Sequence, residues 1–395
     1  MKEKNIIQPT AFPQSQIQDV SLYDVAIVGG GLAGLSLSIQ LAKQGHRVIV
    51  FEKEEYPFHK VCGEYISLES WDFLISLGLE LQQMNLPIIT RLQVSATNGN
   101  ILQQKLPLGG FGISRYLLDF ALVQIARSVG VIVEENMKVN NVIFANNKFS
   151  IDTTQHNYSA KVVSGSYGKR SNLDIKWKRK FTVAAKNKLN NYIGVKYHIK
   201  TNLSADTIAL HIFDNGYCGI VKIEADKYNL CYLATAANLQ KNKGDIHEME
   251  RTVLGKNPYL KKIFDESDFL YEAPVTISQI SFEKKSQVEN NMLMIGDAAG
   301  MITPLCGNGM SMALHGSKLA AKQIHLYLQG YISRVEMEEQ YIRQWQKHFS
   351  SRLQVGRWIQ RIFDNEWLID GFISIAKRFP RLLDFLIRQT HGKRF

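Results

Sequence analysis

Residues 22–55, LYDVAIVGGGLAGLSLSIQLAKQGHRVIVFEKEE, constrain the fold more than any other stretch of the chain. DVAIV is a short β-branched run and reads as a buried parallel strand. Gly29, Gly31 and Gly34 follow in G-x-G-x-x-G spacing. LAGLSLSIQLAKQG then has helical apolar periodicity and stops at Gly45, and HRVIVFE is a second strand ending at Glu52. Each position has a physical task in binding a dinucleotide. Gly29 allows the tight turn, Gly31 lets backbone approach a pyrophosphate, and Gly34 lets the helix pack close to the strand. The first amides of the helix, at Leu32 and Ala33, offer unpaired N–H groups and a positive dipole end to phosphate. Glu52, followed by Lys53, is spaced to accept both hydrogen bonds of an adenosine ribose.

A second segment, NNMLMIGDAAGMITPLCGNGMSMALHGSKLAAKQI, residues 290–324, makes sense in the same terms. MLMIG is a strand, and Asp297 sits at its carboxyl end, where α/β sheets bind ligands. A carboxylate there can accept hydrogen bonds from sugar-like hydroxyls. Pro304 fixes a turn, and Gly307, Asn308 and Gly309 leave backbone N–H groups uncovered. The helix that starts at Met310 points its dipole at whatever occupies that turn.

Composition narrows the partners. The chain has 395 residues, 45% hydrophobic and 21% charged, which suits two globular domains. No run approaches 18 apolar residues, so no membrane-spanning helix is expected. Residues 1–21 lack the apolar core of a signal peptide and read as a polar, mobile tail. The four cysteines (Cys62, Cys218, Cys231, Cys306) are scattered without a CxxC pair. That argues for a reducing, cytoplasmic setting, and against disulfides and a metal site. The net charge of +11 suits an anionic cofactor, an acidic carrier protein or an anionic membrane surface. The densest basic run, residues 168–188, contains no nucleic-acid-binding motif, so nucleic acid is not an expected partner.

These segments resemble the flavoprotein oxidoreductases of the p-hydroxybenzoate hydroxylase fold, and within them the geranylgeranyl reductase-like branch. Two further stretches carry the resemblance. KVCGEYIS, residues 60–67, has the Cys62–Gly63 pair that in reductase-like members lies beside the flavin. GISRYLLDFALVQIARSVGV, residues 112–131, matches the family helix whose leading arginine contacts FAD, here Arg115. After it, the family places a backbone contact to adenine near Val139. The resemblance therefore implies FAD as cofactor, with NAD(P)H as a transient reductant. It also implies that Asp297, Pro304, Gly307, Asn308, Gly309 and Met310 surround the flavin end. One departure stands out: VVSGSYGKRS, residues 162–171, has Tyr167 where the family commonly has an aspartate. The halogenase WxWxIP stretch is absent, which argues against halogenation.

The expected architecture is α/β with an α+β second domain. Residues 22–75, 101–175 and 276–330 are expected to form a discontinuous Rossmann-type FAD-binding domain. Residues 76–100 and 176–275 are expected to form an antiparallel-sheet substrate domain, and 331–395 a C-terminal helical region. On that sheet Tyr197, Phe213, Tyr217, Ile220 and Tyr232 are the candidate substrate-lining residues. Cys62 and Glu64 are the candidate catalytic side chains: Cys62 as a proton donor, Glu64 as a general acid raised by burial or as half of a salt bridge. The tail GRWIQRIFDNEWLIDGFISIAKRFPRLLDFLIRQTHGKRF reads as amphipathic helices broken near Pro380, packed on the core or lying on a membrane surface. The expected function is an oxidoreductase that uses reduced flavin to reduce a C=C bond, or to hydroxylate, on an apolar or carrier-bound substrate. The alternatives are an NAD(P)H-dependent aromatic-type monooxygenase, and a flavin electron carrier or lipid-binding module without turnover.

Overall fold

A computed structural model describes residues 22–183, 192–280, 282–363 and 366–395. The tail expected over 1–21 lies outside these residues, as does the end of the basic run.

The first sheet is built on five parallel strands in the order Met292–Met294, Asn157–Gly165, Leu22–Val28, Val48–Phe51, Ile132–Glu134. The central strands are the apolar ones, with Val25–Val28 and all of Val48–Phe51 buried, as strands in the middle of a parallel sheet require. The helix Leu32–Lys43 packs against the helix Gly309–Leu328, so the two glycine-rich segments meet although they lie far apart in sequence. Small side chains permit the approach: Ser36 Oγ donates to Ser317 Oγ at 2.7 Å in the buried seam.

The second sheet is mostly antiparallel, with Tyr192–Lys200, Tyr228–Thr235, Gly216–Lys222 and Thr207–Phe213 at its centre. Ile88–Ser95 joins Thr207–Phe213 in parallel, and Ile101–Gly112 and Tyr65–Ser67 extend the edge. Three stretches within the segments expected for the FAD-binding domain, Tyr65–Ser67, Ile101–Gly112 and residues 276–280, pair within the second sheet. Their backbone partners lie there, and strand pairing decides membership.

The sheet has two buried faces with different neighbours. Val195, Tyr197, Ile199, Phe213, Ile220, Leu230 and Tyr232 pack against Met249, Leu254, Leu260 and Ile263 of short helices. Side chains alternate along a strand, so Tyr192, Lys196, His198, Asn229, Cys231, Leu233 and Tyr217 point the other way, toward the first domain. The long helix Arg334–Phe363 and the helices Glu366–Arg378 and Pro380–Thr390 complete the fold. Ile369, Ile373 and Ala376 join the apolar cluster on that second face. Among the described residues, no helix is long and apolar enough to cross a membrane.

Candidate functional site

Four of the glycines around the two turns separate into two kinds. Gly29 has φ +105°, and a Cβ there would come within 2.5 Å of the Ser166 carbonyl oxygen. At Gly34 a Cβ would meet the Gly29 carbonyl oxygen at 2.1 Å. The fold itself demands glycine at both. Gly31 and Gly309 differ: the nearest atoms to a Cβ are Arg115 Nη2 at 3.7 Å and Ile302 Cγ2 at 3.8 Å. Packing within the protein gives no reason for glycine there. Both stand at helix starts, Gly31 before Leu32–Lys43 and Gly309 opening Gly309–Leu328. Bare backbone at two helix N-termini, with no atom nearer than 3.7 Å to a Cβ at either, is what an anionic group needs for close approach.

Charge around Gly31 has the matching sign. Arg115 and Lys60 both approach it: a Cβ at Gly31 would lie 3.7 Å from Arg115 Nη2 and 3.9 Å from Lys60 Nζ. Arg115 forks onto Asp119, with Nε to Oδ1 at 2.8 Å and Nη2 to Oδ2 at 2.7 Å, and Lys60 reaches the same carboxylate at 3.1 Å. Two cations against one carboxylate leave a net positive charge beside the turn. Burial opposes charge on Asp119, but Arg115 and Lys60 outweigh it and hold the carboxyl below its ordinary value. The i, i+4 spacing of Arg115 and Asp119 is available in the sequence; Lys60 lies on another loop.

Several of the expected residues already have partners within the protein. The Glu52 carboxylate already accepts from three backbone amides: Gly30 at 3.0 Å, Lys53 at 2.9 Å and Glu54 at 3.2 Å. A carboxylate has about four lone-pair sites, so the ribose hydroxyls would share Glu52 with these amides. Lys53 is exposed and pairs with Glu54. The Val139 carbonyl accepts from Asn172 Nδ2 at 3.2 Å. Asn308 is buried and its Nδ2 donates to the Thr390 carbonyl at 2.7 Å, so only its backbone faces the turn. Pro304 opens a short 3-10 turn that Gly307 ends at φ +61°. Gly63 is exposed, with nothing within 4 Å of a Cβ.

Cys62 Sγ lies 3.6 Å from Met310 Sδ, which joins the KVCGEYIS loop to the Gly309 helix. Cys306 is buried, and burial pushes its thiol up to about 12, so it stays protonated and inert.

Glu64 is not a raised general acid. It is fully buried, has the left-handed φ of +54°, and is surrounded by donors. Lys196 Nζ and the Arg115 backbone N–H (2.7 Å) bond Oε1, and His198 Nε2 bonds Oε2 at 2.7 Å. Burial alone would raise its pKa, but Lys196 and His198 outweigh that and bring it below the ordinary value. The salt-bridge alternative is the one the geometry realises. The signal for it is Lys196 and His198 at i and i+2 of an otherwise apolar strand.

The five candidate substrate-lining residues divide between the two faces of the sheet. Tyr197, Phe213, Ile220 and Tyr232 lie on the face packed against the short helices, and Tyr197 and Tyr232 both donate to Glu250 Oε1. Tyr217 is on the opposite face, clustered with Leu210, Ile212, Leu233, Met301 and Leu305. Alternation identifies two faces; only the pairing register tells which one meets the first domain.

The turn after Met292–Met294 is gripped from behind. Three consecutive carbonyls each accept from a buried side chain: Asp297 O from Lys285 Nζ at 2.8 Å, Ala298 O from Arg179 at 3.2 Å, Ala299 O from Gln287 Nε2 at 3.1 Å. A small hollow opens between this turn and the Gly309 helix, lined by Gly296, Asp297, Gly300, Gly309 and Met312. Tyr167, at the position of the family aspartate, donates to Asp174 Oδ1 at 2.8 Å, and Arg179 pairs with the same buried carboxylate at 2.9 Å. Among the described residues, no group of His, Cys, Asp and Glu could hold a metal ion.

Comparison with known proteins agrees with this geometry. A family described as "FAD binding domain" matches residues 24–60. The chain is 24% identical to conditioned medium factor receptor 1 of Dictyostelium discoideum, over 98% of this chain and 77% of that one. It is 22% identical to digeranylgeranylglycerophospholipid reductase of Methanosarcina acetivorans, over 92% of each. Among solved structures, the flavin-dependent brominase Bmp2 superposes with a TM-score of 0.76 at 20% identity, covering 94% of this chain and 93% of that one. The bare amides at Gly31 and Gly309, the cations beside Gly31 and the carboxylate of Asp297 fit an FAD laid across the first domain.

Proposed function

We propose that this FAD-dependent oxidoreductase acts on an apolar substrate held between the second sheet and the C-terminal helices. The observation that carries the reading is the apolar part of the inner sheet face, beside the part that carries Lys196, His198 and Asn229. Tyr192, Leu210, Ile212, Tyr217 and Leu233 form one apolar cluster with Leu305 of the PLCGNGM turn. The helix Glu366–Arg378 adds Ile369 and Ile373 to it. A greasy surface that runs from the flavin turn to an amphipathic helix suits an isoprenoid, polyketide or acyl chain, free or carrier-bound.

FAD supplies the electron pair when bound; the protein supplies position and the proton. Arg115, Lys60 and the first amides of two helices would hold the anionic parts of the cofactor. Asp297 would accept from its hydroxyl-bearing chain. With Glu64 engaged by Lys196 and His198, Cys62 is the remaining side chain of the expected pair that can hand a proton to a substrate carbon. This favours reduction of a C=C bond. The reductase relative, similar along almost the whole chain, supports the same chemistry. NAD(P)H is the proposed transient reductant, with Tyr167 in place of the aspartate weighing against the usual hydroxylase route, and contact with a membrane surface is proposed from the basic C-terminal helices.

The test begins with the purified protein. It should be yellow; after anaerobic reduction, polyprenyl or unsaturated acyl substrates should restore the oxidised spectrum and be recovered saturated. Protein that takes up no flavin would sink the reading. Substrate turnover that requires oxygen and yields a hydroxylated product would replace reduction with monooxygenation.

A further inference from the structure

The residues 284–287, KKSQ, belong to no motif, yet they hold the turn that presents Asp297. Lys285 is 4% exposed. Its ammonium donates to the carbonyls of Asp297 and Lys169, at 2.8 and 2.9 Å, and sits 4.5 Å from the centre of the Phe181 ring. It has no carboxylate within ion-pair distance among the described residues. Arg179 is 3% exposed and spreads over Ala298 O, Asp174, and the Ser286 carbonyl at 2.9 Å. Gln287 takes Ala299 O and the Lys285 carbonyl. All three carbonyls of the turn are therefore drawn to one side. The opposite side of the turn packs on the two cofactor-facing helices: a Cβ at Gly296 would meet Ala33 Cβ at 3.1 Å and Ala313 Cβ at 3.7 Å.

We infer that Lys285, Arg179 and Gln287 form a carbonyl clamp that positions Asp297 for the cofactor, with Lys285 as its central positioning residue. The inference rests on the FAD reading of the site. A carbonyl gripped by a buried cation cannot rotate without leaving that cation unsatisfied, which is costly in a dry interior. The clamp therefore fixes the peptide planes of 297–299, and with them the direction of the Asp297 side chain. Tyr167 and Asp174 belong to the same assembly: Asp174 anchors Arg179, and the Tyr167 hydroxyl bonds Asp174.

The clamp has a pH limit. Burial draws the Lys285 pKa down to about 8, against the pull of Asp297 and Asp174 and with the push of Arg179 and Lys169. These are the charged groups that face it. Above that pH the ammonium loses its proton, and the neutral amine grips two carbonyls less firmly. An anionic cofactor favours the protonated form, so affinity falls as pH rises through that value.

The experiment measures the dissociation constant for FAD by fluorescence quenching on protein freed of flavin. The wild type is titrated from pH 7 to about 9.5, across the shifted lysine value; Lys285→Met and Lys285→Arg are measured beside it. We expect wild-type Kd to rise at least fivefold over that range. Lys285→Met should have a Kd at least tenfold above wild type at pH 7. Lys285→Arg should bind at pH 7 within threefold of wild type, with a flat profile. A Lys285→Met Kd within twofold of wild type would overturn the inference. Should that variant fail to fold, the wild-type profile decides, and a flat one overturns the clamp. Wild-type protein that binds no FAD at any pH overturns the flavoprotein reading instead.

Discussion

Gly31→Ala and Gly309→Ala separate what the fold requires from what the cofactor requires. In the protein alone, the added methyl would sit 3.7 Å from Arg115 at position 31 and 3.8 Å from Ile302 at position 309. Both are ordinary van der Waals contacts. Neither glycine has a positive φ, so no backbone strain follows. Gly309 is the first residue of a 20-residue helix, where alanine is favoured over glycine by less than the about 0.5–1 kcal/mol of a helix interior. The variants should therefore unfold in urea at or slightly above the wild-type midpoint. A methyl placed where a phosphate or flavin oxygen meets a backbone N–H displaces that hydrogen bond. Such a bond to a charged group contributes about 1.5–3 kcal/mol, which corresponds to roughly a 10- to 150-fold rise in Kd. Gly34→Ala is the control: its methyl meets a carbonyl oxygen at 2.1 Å, so it should lower stability itself. The assay is FAD titration by fluorescence beside urea unfolding of flavin-free protein. If Gly31→Ala folds and binds FAD with wild-type affinity, that glycine owes nothing to the cofactor and the placement of the phosphates is refuted.

Other outcomes follow from the site. Glu64→Gln leaves Lys196 buried without its counter-charge and should cost about 3–5 kcal/mol in urea unfolding. The Glu64 contribution is fully present above the ordinary carboxylate value of 4.5 and is lost as pH falls through the depressed one. The stability gap between wild type and variant should thus narrow below that pH; a constant gap would contradict the ion pair. Tyr232→Phe removes a hydrogen bond to Glu250 and should cost about 1 kcal/mol in stability without changing turnover. Tyr217→Ala, on the other face, should change KM for the apolar substrate and leave flavin content intact; the reverse pattern would exchange the two faces. Cys62→Ala should keep its yellow colour and lower kcat by about 10²–10⁴, the range of a general acid. An unchanged kcat would remove Cys62 from proton transfer.

How far the sequence reaches depends on whether a feature is local. Gly29–Gly34 and Asp297 are readable because strand, turn and helix are contiguous there, and each residue type answers a need of its own neighbours. Glu64 reads as a candidate acid because its partners, Lys196 and His198, are more than 130 positions away on another strand. Its burial is foreseeable; the compensation for that burial is not. Which face Tyr197, Phe213, Ile220 and Tyr232 take is not legible, because both faces of that sheet are buried. With apolar residues at odd and even positions alike, period-two alternation carries no direction. The charged and titratable residues on YIGVKYHIK are the available hint, since a strand buried on both sides tolerates Lys and His only where a partner awaits them.

The clamp behind Asp297 has a bearing on how such a turn could be transplanted or diverge. Its grip falls on main-chain oxygens, which every amino acid carries, so the instructions for the turn's shape are written at 179, 285 and 287 and not at 297–299. A designer who copied only the Gly-Asp segment into another scaffold would import the letters without the hand that holds them. Conversely, small substitutions at 298 or 299 that respect the packing should leave the cofactor's seat unchanged, while a distant exchange at Lys285 would shift it.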